Sequence, residues 1–249
     1  MDNKPIQHTQ KRQTNDKSVD ISAYLILGPE NVPKNTTAAN LVRTAIRAGF
    51  TCVQVRSKQS SAKKLVKFCE EVARAIASEN KTGQVALLVN DRLDVALEAR
   101  DLGIHIDGMH VGQSDISPAT CKKYLGEGSV VGLSAKTKDA FEWLVSADVS
   151  GVDYLGIGPY HETLSKLDVE KDDAGLAILT SDVEIAKVCD YARATYGLPV
   201  VVGGGVVAGD LEQIRALGAD GFFVISAVCG AENPEATCDE LVSSWMCER

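Results

Sequence analysis

Aromatic residues make up only 5% of this 249-residue chain, and basic residues are outnumbered, 26 Lys and Arg against 34 Asp and Glu. The resulting net charge of −8 withholds the basic face that nucleic-acid binding needs, although a local basic cluster can still hold a small phosphorylated molecule. No apolar run nears the ~20 residues that span a bilayer, so no membrane partner is expected. Residues 1–20, MDNKPIQHTQKRQTNDKSVD, lack an apolar leader core and are expected to form a disordered tail. The seven cysteines never fall at CxxC spacing or pair with histidine at zinc-finger spacing; they read as reduced packing residues of a cytoplasmic protein. GxGxxG and GK[ST] are also missing, and no Ser–His or Cys–His constellation offers a nucleophile.

What is present is alternation. Short apolar, β-branched runs at 23–27, 51–55, 85–89, 130–133, 152–157, 199–202 and 221–225 are separated by helix-like segments. The fourth run is divided between 104–106 and 109–111, both of which alternate. Helices are expected at 36–48, 62–78, 93–99, 118–125, 138–145, 183–196, 211–217 and 234–246, with a long polar loop at 158–175. The stripe Leu65, Val66, Cys69, Val72, Ala73 and Ile76 makes the second of these amphipathic. Strands alternating with helices imply parallel pairing through crossovers. Eight such units in one 21–249 domain fit a closed (β/α)8 TIM barrel better than an open doubly wound sheet.

A barrel carries its site at the C-terminal ends of its strands, and polar residues collect there. Gln54, Arg56 and Lys58 alternate after the second run and suit phosphate, Arg as a planar fork and Lys as a point charge; a solvated strand end is the plainer alternative. Asn90 and Asp91 follow the third run, and Gly112 to Asp115 the fourth. Asp91 and Asp115 together suit Mg²⁺, which takes a few carboxylates plus phosphate oxygens; separately they suit a helix cap and a turn. Ser134 ends the fifth run, Thr163 to Lys166 follow the sixth, Gly203–Gly205 the seventh and Ser226 the eighth. Glycines there permit close backbone approach to a phosphate, or simply a tight turn. His105 and His110 read as structural, and His161 as a weak site candidate. The pattern suggests two anion sites, one around Arg56, Lys58 and Lys166 and one around Gly205 and Ser226.

These residues are also the ones through which the chain resembles the thiamine phosphate synthase family, over about residues 22–232. The matching segments run in order: QVRSK (54–58), VNDRLDVAL (89–97), DGMHVGQSD (107–115), VVGLSA (130–135), YLGIGP (154–159), TLSK (163–166), PVVVGGG (199–205) and GADGFFVISAV (218–228). The resemblance implies a Mg²⁺-dependent transferase of thiamine biosynthesis that joins hydroxymethylpyrimidine pyrophosphate to thiazole phosphate. It implies a pyrimidine pyrophosphate site from Gln54, Val55, Arg56, Ser57, Lys58, Asn90, Ser134 and Lys166. The thiazole phosphate would be held by Thr163, Leu164, Ser165, Gly205, Ile225 and Ser226, and the metal by Asp91 and Asp115. Arg56, Lys58, Ser134 and Lys166 would be catalytic. Departures from the family pattern are Ser57 in place of an acidic residue, Gly203 in place of isoleucine, Ser165 in place of threonine, an insertion around 100–106 and a long acidic loop at 167–173. Gly203 is expected to loosen its turn. A thiazole tautomerase would not need the basic cluster or both aspartates, a sugar-phosphate isomerase would need a positioned acid or base, and a thiamine phosphate sensor would tolerate loss of the metal site. The oligomeric state, a homo-oligomer included, is left open.

Overall fold

A computed structural model describes residues 19–163 and 175–247. Most of the tail expected at 1–20, the assigned residues Leu164, Ser165 and Lys166, and the acidic loop lie outside those residues. The described chain forms eight strands: β1 (Ala23–Leu27), β2 (Cys52–Val55), β3 (Ala86–Asn90), β4 (Gly108–Val111), β5 (Val130–Ser134), β6 (Tyr154–Ile157), β7 (Val200–Gly203) and β8 (Gly221–Val224). Each pairs in parallel with the next, and β8 returns to β1, so the sheet closes as a barrel. Between and after them run α1 (Ala38–Ala48), α2 (Ala62–Ser78), α3 (Leu93–Asp101), α4 (Pro118–Leu125), α5 (Ala140–Ser146), α6 (Asp182–Tyr191), α7 (Leu211–Ala216), α8 (Ser226–Cys229) and α9 (Pro234–Met246).

The period of two along each strand sorts the core into two bodies. Outward residues such as Leu25, Val53, Val55, Leu87, Val89, Met109, Val131, Leu155, Val200 and Phe222 pack against the helices in one large cluster. Inward residues such as Tyr24, Ile26, Cys52, Ala86, Leu88, Val130, Tyr154 and Val201 form a second cluster inside the barrel. Local chemistry sets the helix ends. Thr37 accepts a hydrogen bond from the Asn40 N–H and Gly49, at φ 116°, closes α1. Ser117 caps α4, whose first residue is Pro118, and Ser181 caps α6.

The N-terminal end of the barrel is laced by side chains that precede the even-numbered strands. Asp107 Oδ2 accepts from Leu87 N at 2.8 Å, Asp153 Oδ2 from Val131 N at 2.7 Å and Asp220 Oδ2 from Val200 N at 2.9 Å, while Thr51 Oγ1 accepts from Ala23 N at 3.2 Å. Each satisfies a strand-end N–H that the ladder leaves over. The insertion around 100–106 lies at this end, far from the strand termini expected to carry chemistry. Arg100 anchors it, donating to Ile106 O at 2.6 Å, Leu125 O at 2.6 Å and Ser129 Oγ at 3.1 Å.

Several expectations shift. Val19 packs against the inner cluster, so the barrel's own packing begins inside the expected tail. The fourth strand is Gly108–Val111, and the alternative at 104–106 is only its lead-in. The helix expected at 138–145 starts after Asp139, which sits at φ 53°, and the one expected at 183–196 ends in a π-helical turn at Ala192–Tyr196. The four-residue α8 was not anticipated, being too short to show a helical period.

Candidate active site

A cavity of about 500 Å³ opens at the C-terminal ends of the strands, a size that suits small-molecule substrates. Residues from β1 through β8 or the loops after them line it, including Tyr24, Gln54, Asn90, His110, Ser134, Gly156, Gly203 and Ser226. The barrel geometry therefore gathers residues far apart in sequence without requiring any one loop to build the site.

One wall is charged. Arg56 and Lys58 follow β2, Asp91 follows β3 and Asp115 follows β4, and all four line the cavity. Lys58 Nζ lies 2.5 Å from Asp91 Oδ2. Asp91 adopts φ 59°, and α3 begins after it with Arg92 at the cap position, without a side-chain capping bond. The helix-cap alternative for Asp91 therefore falls: its carboxylate is turned to Lys58 and the cavity. Asp115 does hold its turn, accepting from Gly112 N at 2.8 Å, while also facing the cavity. Burial, and then hydrogen bonding to the Asp91 carboxylate, pushes the Asp115 carboxyl above its ordinary range. Two carboxylates in contact are an unfavourable arrangement that a divalent cation between them would relieve.

The opposite arc is glycine-lined. Gly204 and Gly205 adopt φ 86° and 75°. Tyr160 N donates to Gly203 O at 3.0 Å and His161 N to Gly204 O at 2.9 Å, drawing the chain after β6 onto the turn. A Cβ on Gly205 would lie 2.7 Å from His161 Cβ, so the glycines are needed for this close approach. Gly205, Ile225, Ser226 and Thr163 all line the cavity here.

Of the residues expected from sequence, Gln54, Arg56, Lys58, Asn90, Asp91, Asp115, Ser134, Thr163, Gly205, Ile225 and Ser226 come together around the cavity. Val55 and Ser57 do not join them. Val55 alternates outward into the helix-facing core, and Ser57 Oγ turns back to accept from Gln59 N at 3.2 Å and Ser60 N at 3.0 Å. His161 points instead to Asp210, at 3.0 Å, while His105 pairs with Asp107 at the barrel's other end. At Gly203 the ring of Phe223 occupies the place of the missing side chain, within 2.2 Å of where a Cβ would be. Residues not anticipated for the site are Tyr24, Lys136, Thr137 and Phe223, and His110 joins them despite its structural reading from sequence. Following the inward register back from the strand ends, and two residues past Ser134, would have pointed to most of these.

Comparison with known proteins agrees. The family model described as thiamine monophosphate synthase matches residues 23–228. The chain is similar to the thiamine-phosphate synthase of Moorella thermoacetica, 36% identical over 201 residues that cover 81% of this chain and 85% of that one. It is 34% identical to that of Xanthobacter autotrophicus over 233 residues, 94% of this chain and 99% of the relative. Among solved structures it is similar to a thiamine phosphate pyrophosphorylase from Pyrococcus furiosus, with a TM-score of 0.71 at 23% identity, covering 91% of this chain and 96% of that one; at that identity the likeness speaks for the fold. With the family model spanning most of the barrel, and with relatives above 30% identity covering nearly the whole chain, the protein belongs to the thiamine monophosphate synthase family, transferases of thiamine biosynthesis.

Proposed function

We propose that this pocket joins hydroxymethylpyrimidine pyrophosphate to thiazole phosphate, giving thiamine phosphate and pyrophosphate. The observation that carries the reading is the division of one cavity into a charged wall after β2, β3 and β4 and a glycine-lined wall after β7 and β8. Two phosphorylated substrates need two such anion sites.

Arg56 and Lys58 would hold the pyrophosphate, with Lys166 joining them from outside the described residues as the resemblance implies. Gln54, Asn90 and Ser134, deeper in the cavity, would orient the pyrimidine ring. Gly205 and Ser226 would receive the thiazole phosphate, with Thr163, Leu164, Ser165 and Ile225 beside it. In the reaction, the bond from the pyrimidine methylene carbon to the pyrophosphate oxygen breaks, and its electron pair leaves with pyrophosphate. The thiazole nitrogen lone pair then forms the new C–N bond. The protein's contribution is to neutralise the leaving group and align the two rings. Asp91 and Asp115 would hold Mg²⁺, since two adjacent carboxylates open to a phosphate-binding cavity fit its ordinary ligand set. When bound, Mg²⁺ supplies charge neutralisation to the departing pyrophosphate. A cytoplasmic setting is part of the proposal and is supported by seven free cysteines, six of them buried.

The division of the site is tested by steady-state kinetics on Lys58→Ala. The expected result is a raised KM for the pyrimidine pyrophosphate with the KM for thiazole phosphate unchanged. A rise confined to thiazole phosphate would reverse the assignment of the two walls.

A further inference from the structure

Inside the barrel, five polar side chains on five strands are joined end to end. Gln54 on β2 donates its side-chain amide N–H to the hydroxyl of Tyr24 on β1. The Tyr24 hydroxyl lies 2.9 Å from that of Tyr154 on β6. The Tyr154 hydroxyl lies 2.9 Å from Nδ1 of His110 on β4, and His110 Nε2 lies 2.9 Å from Oγ of Ser134 on β5. Four of the five, all but Tyr154, line the cavity, and Ser134 is the terminal hydroxyl of the chain there.

This arrangement costs the core something that phenylalanine at either tyrosine would avoid, because both hydroxyls are removed from water and each must find partners. The barrel also makes room for it. Gly132 sits between His110 and Tyr154 in the strand register. A Cβ on Gly132 would lie 2.1 Å from Tyr154 Cζ and 2.5 Å from His110 Nδ1, so any side chain there would break the link.

One polarity of the chain keeps every hydroxyl proton in a hydrogen bond along it or at the cavity. Burial pushes both phenols well above the ordinary tyrosine range, so each keeps its single proton. Tyr24 accepts from Gln54, so its own proton stays within the chain only when it is donated to Tyr154. Tyr154, having accepted, donates to His110 Nδ1. A neutral imidazole whose Nδ1 accepts carries its proton on Nε2, and that proton goes to Ser134 Oγ. The Ser134 proton is then left to point at whatever lies in the cavity.

We propose that Tyr24 and Tyr154 are positioning residues: through His110 they fix the Ser134 hydroxyl as a donor aimed at an acceptor atom on the pyrimidine substrate. This rests on the substrate reading given above. A hydroxyl with a preset donor direction requires no reorientation when substrate arrives, so its hydrogen bond is available at full strength. It also favours a ring that presents a lone pair at that point over one that presents an N–H, because two facing donors leave a buried group unpaired.

The test is ¹⁵N NMR of the imidazoles in the ligand-free, full-length protein, with the His110 signals assigned by their loss in His110→Gln. The expected wild-type spectrum shows a protonated Nε2 and a lone-pair Nδ1. In Tyr154→Phe the Nδ1 donor is gone, so both tautomers should become populated. Its kcat should fall about tenfold, the scale of one hydrogen bond, with the KM for thiazole phosphate unchanged. Should Tyr154→Phe not fold, Tyr24→Phe removes the preceding donor and should loosen the tautomer in the same way. A wild-type His110 protonated on Nδ1, or a Tyr154→Phe protein with unchanged tautomer or unchanged kcat, would overturn the proposal. Wild-type protein that shows the Nε2–H tautomer yet makes no thiamine phosphate would instead sink the substrate reading and leave the direction of the chain standing.

Discussion

Replacing Gly205 with alanine tests the glycine-lined wall on two scales at once. At φ 75° an L side chain is strained, by about 1–2 kcal/mol. The new Cβ would also lie 2.7 Å from His161 Cβ and 3.0 Å from the His161 and Glu162 carbonyl oxygens. Two of these three neighbours are backbone atoms, held by the hydrogen bonds from Tyr160 and His161 to the turn, so relief requires the two segments to part. Adding a steric contribution of about 1 kcal/mol gives a total near 2–3 kcal/mol. For a chain of this size that is a Tm lowered by roughly 5–10 °C in a thermal melt. Parting the segments would also move the thiazole phosphate wall, raising the KM for that substrate by about tenfold, the equivalent of one lost phosphate hydrogen bond, while leaving the KM for the pyrimidine pyrophosphate unchanged. Gly209→Ala is the control, because its Cβ meets nothing within 4 Å. Unchanged Tm and KM in Gly205→Ala would show that the turn tolerates a side chain and would refute the close-approach reasoning. A selective rise in the pyrimidine KM would place the wrong substrate on this wall.

Asp91→Ala should lower Mg²⁺-dependent turnover by about a hundredfold or more with little change in the thermal melt; equal activity would remove Asp91 from the metal site. Asp153→Ala should destabilise the fold by about 2–3 kcal/mol, read as a lower urea midpoint with unchanged KM values. It removes the carboxylate 2.6 Å from the buried Lys122 ammonium, leaving that ammonium to the Glu127 and Ser129 carbonyls, and it also frees the Val131 N–H. An unaltered midpoint would show that the interlacing at this end of the barrel is dispensable. Thiol titration of the native protein should find one rapidly reacting cysteine, the exposed Cys247. Burial pushes the Cys69, Cys189, Cys229 and Cys238 thiols up to about 12, and Cys52 and Cys121 are buried as well. Several fast thiols in folded protein would contradict this packing.

The barrel was legible because its determinants are local and periodic. Eight apolar runs with turn-forming residues between them allow few other topologies, and the end of each strand then names its cavity residue. The misplacements are equally physical. A five-residue match such as QVRSK marks a segment, but alternation along β2 and its extension sends Gln54 and Arg56 inward and turns Val55 outward, while Ser57 is spent on the following turn. The space left by the missing side chain of Gly203 is filled by Phe223, twenty residues later and on the next strand, a pairing that the local sequence does not reveal. The relay from Tyr24 to Ser134 was invisible for a related reason. Tyr24 and Tyr154 meet across 130 positions and lie one layer below the strand ends, where a sequence reading sees only two more strand aromatics. His110 looked structural because it lies within a strand, but in a barrel half of each strand faces the cavity side.

The central claim is synthesis of thiamine phosphate at a site completed by Mg²⁺ between Asp91 and Asp115. It is tested most directly by incubating the purified full-length protein with hydroxymethylpyrimidine pyrophosphate and thiazole phosphate, and by measuring thiamine phosphate in the presence of Mg²⁺, after EDTA, and after restoring Mg²⁺ in excess. The account predicts product that disappears on chelation and returns with the metal. Product formation indifferent to EDTA would contradict the metal site, and folded protein that binds thiazole phosphate but forms no product under any of the three conditions would contradict the synthase reading itself.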